Sequence, residues 1–179
     1  MRQPALDFVG TLQARRNPEP TEVLVSPRSL GAWFRESGLV DVEPRASAAD
    51  LDAAITLREA IYALVLARMG KRGYDDDALA LVNHAADAPP VIPRLAHDGR
   101  RAEATAPQAM SSVARDAIGI LGGPQAAHLK ECGRPECTQV YLDHSRSGRR
   151  EWCAMATCGN RMKAAAYRAR KRSSVPSAT

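Results

Sequence analysis

Aromatic residues are scarce in this chain: two Trp, four Tyr and two Phe, 4% of 179 positions. A core with so few large rings has to be built from Ala, Leu, Val and Ile, which suits close-packed helices better than a many-stranded sandwich. Long apolar runs are missing too. No stretch approaches the roughly eighteen consecutive apolar residues of a membrane span. The opening MRQPALDFVGTLQARRNPEP lacks the apolar segment of a secretory signal. A cytoplasmic protein with no membrane partner is the expectation. Cysteine is sparse and confined to one region, with four residues and none before position 132. In a reducing compartment four thiols do not normally become two disulfides, so they need another explanation. A Gly-rich phosphate loop, a Ser nucleophile elbow and a His-Glu-x-x-His helix are also absent, which removes the usual sequence support for an enzyme.

The length allows one main domain plus a small appendage. The net charge of +5 becomes informative once divided. Residues 1–128 hold 14 Lys and Arg against 16 Asp and Glu, whereas residues 129–179 hold 11 against 4. Affinity for a polyanion therefore belongs to the last third of the chain.

Several elements can be placed from pattern. The run LDFVGTL reads as a strand or a buried helix start, and Asn17-Pro18-Glu19-Pro20 breaks it. Ser26-Pro27 begins a short amphipathic helix that carries Leu30, Trp33 and Phe34 as core anchors and stops at Gly38. A long helix spans about Ser47 to Met69, with Leu51, Ile55, Leu57, Ile61, Leu64 and Val65 forming its apolar stripe. The Asp75-Asp76-Asp77 cluster suits the positive end of another helix, which is a commoner role for it than a metal site. Asp98-Gly99 suggests the centre of a hairpin. A further helix covers about Gln108 to Leu121 and ends at Gly122-Gly123-Pro124, where the domain boundary is expected.

The cysteines form two C-x4-C pairs, Cys132 with Cys137 and Cys153 with Cys158, separated by fifteen residues. That loop can fold two ligand pairs onto one ion. Zinc suits four thiolates, which give it soft tetrahedral ligation without redox chemistry. An iron–sulfur cluster and four unrelated buried thiols remain alternatives. His128 and His144 stand nearby as substitute ligands. Between the pairs, Val140 and Leu142 alternate with Gln139 and Tyr141 like a short strand before a Ser147-Gly148 turn.

After Cys158 the sequence GNRMKAAAYRARKR reads as a helix. Winding it at about 100° per residue puts Cys158, Met162, Ala165, Ala166 and Ala169 on one small-residue face, expected to lie against the knuckle. Arg161, Lys163, Arg168, Arg170, Lys171 and Arg172 occupy the remaining surface, and Arg146, Arg149 and Arg150 extend the charge. No acidic residue follows Glu151. A duplex phosphate array is the natural counterpart of such a rod, while Asn160, Arg161 or Lys163 at the helix start could reach base edges. Oxidant-driven metal loss from the thiolates would instead make the site a redox sensor.

At these residues the chain resembles the CGNR zinc finger family, whose motif stands here as Cys158-Gly159-Asn160-Arg161, with LDHSRSGRREWC before it and MKAAAYRARKR after it. LDFVGTL, SPRSLGAWFRESGLV and ITLREAIYALV resemble the ABATE domain that usually precedes this finger, a mixed α/β unit of stress-induced transcription regulators. Gly10 departs from that pattern, where Asn would be expected before Thr11. The resemblance implies that Cys132, Cys137, Cys153 and Cys158 ligate Zn2+, that the basic helix contacts double-stranded DNA, and that the N-terminal half senses an effector. Thr11 and Arg58 are the candidate effector contacts, although Arg58 also suits an ordinary ion pair. A homodimer is a further candidate assembly. The expected fold is α+β. A mainly helical N-terminal domain with a small antiparallel sheet covers 1–124, a four-cysteine zinc finger ending in a basic helix covers 125–172, and a disordered tail covers 173–179.

Overall fold

The computed structural model describes residues 3–173. The expected tail lies outside them, apart from Ser173, which is the last residue of the terminal helix. LDFVGTL resolves as a helix, α1 (Pro4–Val9), followed by a strand β1 (Leu12–Gln13) that pairs antiparallel with β2 (Thr21–Glu22). Proline at the first helical turn needs no N–H there. The carboxylate of Asp116 accepts from the Ala5 N–H in the first turn at 2.9 Å.

Helices α2 (Pro27–Glu36), α3 (Ala48–Met69), α4 (Asp76–Asp87) and α5 (Ala106–Gly122) start where side chains can satisfy their first N–H groups. Ser26, Ser47 and Thr105 each form reciprocal capping boxes with the residue three positions on, while Asp75 accepts from Ala78 N at 2.9 Å. The acidic cluster is thus a helix start, as the dipole argument expects. The hairpin of β3 (Arg94–Ala96) and β4 (Gly99–Arg101) is displaced by one residue from its expected centre. His97-Asp98 forms the two-residue turn, and Gly99 opens β4 at φ +126, a backbone conformation that side chains disfavour.

Helices α1, α3 and α5 close on one core, with Phe8, Phe34, Ile61, Leu64 and Val113 fully buried. Trp33 packs on Phe8 with ring centroids 4.9 Å apart and the planes tilted by 52°. A 3-10 turn (Pro124–His128) leads from α5 into β5 (Leu129–Glu131), which pairs antiparallel with β6 (Val140–Leu142). Leu129, Val140 and Leu142 join the same core as the N-terminal helices. The cysteine-bearing segment is therefore built onto the N-terminal unit. Gln139 donates to Leu6 O at 3.2 Å, the Arg15 N–H reaches Thr138 Oγ1 at 3.3 Å, and Arg16 pairs with Glu131. Among the described residues no helix is long and apolar enough to cross a membrane.

Gly31 on α2 leaves no room for a side chain, because a Cβ there would stand 2.5 Å from the Pro44 carbonyl oxygen. Gly31→Ala should lower stability by about 1–3 kcal/mol, the usual range for overpacking, despite alanine's better helix propensity. Denaturant titration reads this directly; an unchanged midpoint would mean that the loop at Pro44 yields freely.

Candidate metal centre and basic helix

The two cysteine pairs arrive at one point by different local routes. Cys132 leaves the end of β5, and its N–H donates to Gln139 O at 2.9 Å, continuing the ladder. Cys137 closes a tight turn, with its N–H on Arg134 O. Cys153 follows the loop out of β6. Cys158 sits in a π-turn (Met155–Gly159) immediately before helix α6 (Asn160–Ser173). That turn brings Gly159 so close to Met155 and Trp152 that a Cβ would meet the Met155 sulfur at 2.4 Å. A side chain at this glycine would have to displace the exposed Met155 side chain and press on the Trp152 ring.

One sulfur from each of the four cysteines lies within 4.8 Å of the other three. Cys137 and Cys153 Sγ stand 3.9 Å apart, Cys153 and Cys158 Sγ 3.6 Å. A tetrahedron with zinc–sulfur bonds of about 2.3 Å has edges of about 3.8 Å, so these thiols fit the ion. His128 and His144 stand outside the cluster, exposed, with their rings 5.5 Å apart.

Electrostatics agrees with a site built around a cation. Burial pushes the Cys137 thiol up to about 11 and raises Cys153, with the neighbouring sulfurs adding to both shifts. Burial acts the same way on Cys132, but N–H groups of Cys153 and Arg134 outweigh it and hold that thiol below its usual value. The Cys153 N–H points at Cys132 Sγ from 3.5 Å, and Arg134 Nη1 lies 3.7 Å from Cys158 Sγ. Such donors orient thiolates and spread their charge.

The loop between the pairs is ordered by Asp143, which sequence reading did not single out. Its carboxylate is buried and accepts from Lys130 Nζ at 2.7 Å, Ser145 N–H at 2.9 Å and Arg150 N–H at 3.0 Å. The Lys130 ammonium, followed by Ser145, holds this carboxyl well below the usual carboxylate range. The signal available in the sequence was an Asp directly after a short strand and two residues before a Ser, the spacing of a side-chain turn.

The residues expected at a nucleic-acid surface divide into two groups. Arg146, Arg149, Asn160, Arg161, Lys163, Arg168, Arg170 and Lys171 are exposed; the Arg172 side chain lies outside the described residues. Arg150 is exposed as well, but its guanidinium is engaged in clasping the loop. Its Nε donates to Trp152 O at 2.7 Å, Nη2 reaches Cys153 O, and its guanidinium lies 4.7 Å over the Tyr141 ring.

The small-residue face of α6 does not pack on the knuckle as expected. Ala165 and Ala166 are exposed, Met162 is half-buried, and the Ala169 side chain lies outside the described residues. The reason is local: Cys158 and Gly159 fill the contact with the knuckle inside the π-turn, before α6 begins, and the helix leaves it behind. The candidate effector contacts are engaged within the chain. Arg58 is 2% exposed and donates from Nη1 and Nη2 to the two oxygens of Glu22 at 2.7 and 2.8 Å, from Nε to Glu59, and from Nη1 to Thr11 Oγ1. Thr11 in turn donates its hydroxyl proton to Phe8 O at 2.7 Å.

No curated protein matches the chain. Two family models do: the CGNR zinc finger over residues 128–171, and ABATE, described as a putative stress-induced transcription regulator, over residues 2–124. Both descriptions are regulatory or metal-binding rather than enzymatic, and the four-thiol cluster falls inside the finger match. The chain therefore belongs to the ABATE family and carries a zinc-binding CGNR finger at its C-terminal end.

Proposed function

We propose that this protein is a DNA-binding transcription regulator. Cys132, Cys137, Cys153 and Cys158 hold one zinc ion, and the knuckle around them presents α6 to duplex DNA. Residues 1–124 act as the sensor and 125–172 as the reader. The observation that carries the reading is the exposure of α6. Arg161, Lys163, Arg168, Arg170 and Lys171 are exposed along a helix without an acidic residue, which begins beside the thiols. A helix of 14 residues with that charge is marginal in isolation. Phosphates would relieve its self-repulsion, and the exposed alanine face lets it approach a groove closely. Asn160 and Arg161, at the anchored end, are best placed to meet base edges. Arg146 and Arg149 flank them for phosphate contact.

An effector in the N-terminal unit would act through the shared core. Helix α5 runs by way of the 3-10 turn into β5 and Cys132, so a ligand that favours one packing of α5 also biases the knuckle.

Titrating duplex DNA at rising salt tests the reading. Each phosphate contact contributes about −0.9 to the slope of log affinity against log salt. Replacing Arg168, Arg170 and Arg172 by Ala should therefore flatten that slope by about 2–3. An affinity indifferent to salt, or undiminished in the triple variant, refutes DNA contact by α6.

A further inference from the structure

The β1–β2 hairpin and the knuckle leave a crevice of about 440 Å3 between them. Hairpin residues 12–14 and Thr21 line one side, and Arg134 and Arg161 line the other together with Cys137, Cys153 and Cys158. Cys132 is not part of that lining and is 4% exposed. Cys158 lines the crevice but is itself 5% exposed, whereas Cys137 and Cys153 are half-buried. Solvent therefore reaches the cluster unequally. The two thiols that face it best come from different C-x4-C pairs, with sulfurs 3.9 Å apart. Arg134 and Arg161 line the same crevice and offer hydrogen-bond donors to a peroxide there.

We propose that Cys137 and Cys153 form an oxidation site, in which a hydroperoxide entering the crevice joins them as a disulfide. One thiolate attacks a peroxide oxygen; the O–O bond breaks, and the leaving oxygen departs with the electron pair and takes a proton from water. The sulfenic acid so formed is attacked at sulfur by the second thiolate, the S–S bond forms and hydroxide leaves. Each sulfur supplies one electron, so one peroxide is consumed per disulfide. Closing the sulfurs to a bond of about 2 Å needs a movement of about 2 Å. Cys132 and Cys158 stay reduced, and two thiolates no longer complete a tetrahedral shell. The metal then leaves, and α6 loses its anchor.

This inference rests on the four thiols holding zinc, so the metal content of the purified full chain is measured first. Zinc-loaded protein is then titrated with hydrogen peroxide, zinc release is followed with a chromogenic chelator, and thiols are mapped by alkylation and peptide mass analysis. The expected result is one zinc released for each Cys137–Cys153 disulfide, reversed by a dithiol reductant and zinc. Alkylation of the loaded protein should mark Cys137 and Cys153 ahead of Cys132 and Cys158. A disulfide that uses Cys132 or joins Cys153 to Cys158, or zinc release only after all four thiols are oxidised, overturns the proposal. A chain that never held zinc would instead overturn the metal assignment.

Discussion

Removing zinc from the full chain with a chelator should melt the knuckle and leave the N-terminal helices standing. The segment around the thiols has little else to hold it: β5 and β6 are three residues each, and between Leu142 and the π-turn the chain has no regular element. Zinc binding contributes ~10–16 kcal/mol of apparent folding free energy in finger peptides, far more than such loops can gain by packing. Without the ion, burial and mutual repulsion keep Cys137 and Cys153 protonated, and uncharged thiols make weak, undirected contacts. The damage should stop at β5 and β6, because Leu129, Val140 and Leu142 belong to the main core. The two tryptophans separate these outcomes, since Trp33 packs on Phe8 in the N-terminal core while Trp152 lies beside the thiol cluster. In a Trp33→Phe variant, chelation should shift Trp152 emission toward that of a solvated indole. Amide exchange should lose protection over residues 132–138 and 143–159 and keep it in α3, α5, β5 and β6. Unchanged emission and exchange in protein shown to be metal-free would mean that the thiols do not organise this segment. Lowering the pH should act in the same direction as the chelator, because zinc ligation needs four thiolates and protons compete for them.

What was legible in the sequence is what depends on neighbours along the chain. Helix α3 showed in the spacing of Leu57, Ile61, Leu64 and Val65 and in its Ser47 cap, and the cysteine cluster in the paired spacing of its ligands. What escaped depends on partners far away. β1 and β2 are two residues each, too short for any periodicity, and exist because a loop carrying Arg15 is wedged under Tyr62 and against Thr138. The merging of finger and N-terminal core was hidden because β6 looks like an alternating strand with one wet face. In the fold its outer residue, Tyr141, is covered by Arg150 and donates to Arg150 O at 2.7 Å. The alanine face of α6 was misread for a related reason. A stripe of small residues shows that a helix can be approached closely, without saying by what.

Glu22→Gln should destabilise the protein more than Arg58→Met, although the first looks the milder change. Arg58 is 2% exposed at its side chain and Glu22 29%, so the cation is the member of the pair that cannot return to water. Burial works against the Arg58 charge, yet Glu22 and then Glu59 raise its affinity for the proton overall. Glu22→Gln keeps the volume, but its amide NH2 would face Arg58 Nη1 or Nη2, donor against donor, and would leave the buried guanidinium with Glu59 as its remaining counter-charge. Removing one partner of a buried pair typically costs ~3–5 kcal/mol for this reason. Arg58→Met instead leaves an uncharged chain of similar length at a buried position. It frees Glu22, a carboxylate that can turn to solvent, leaves Glu59 paired with Arg15, and takes one donor from Thr11 Oγ1; its cost should be about 1–2 kcal/mol, within the range of ordinary core changes. Combining the two should recover much of the Glu22→Gln penalty, a non-additivity expected only of residues in direct contact. Glu22 also accepts the Leu24 N–H at 2.8 Å at the end of the β1–β2 hairpin, and that hairpin forms one wall of the crevice at the thiols. Denaturant midpoints of the two single variants and the double variant decide the matter. Equal losses in the single variants, or strictly additive ones in the double, would place the stabilisation in packing alone.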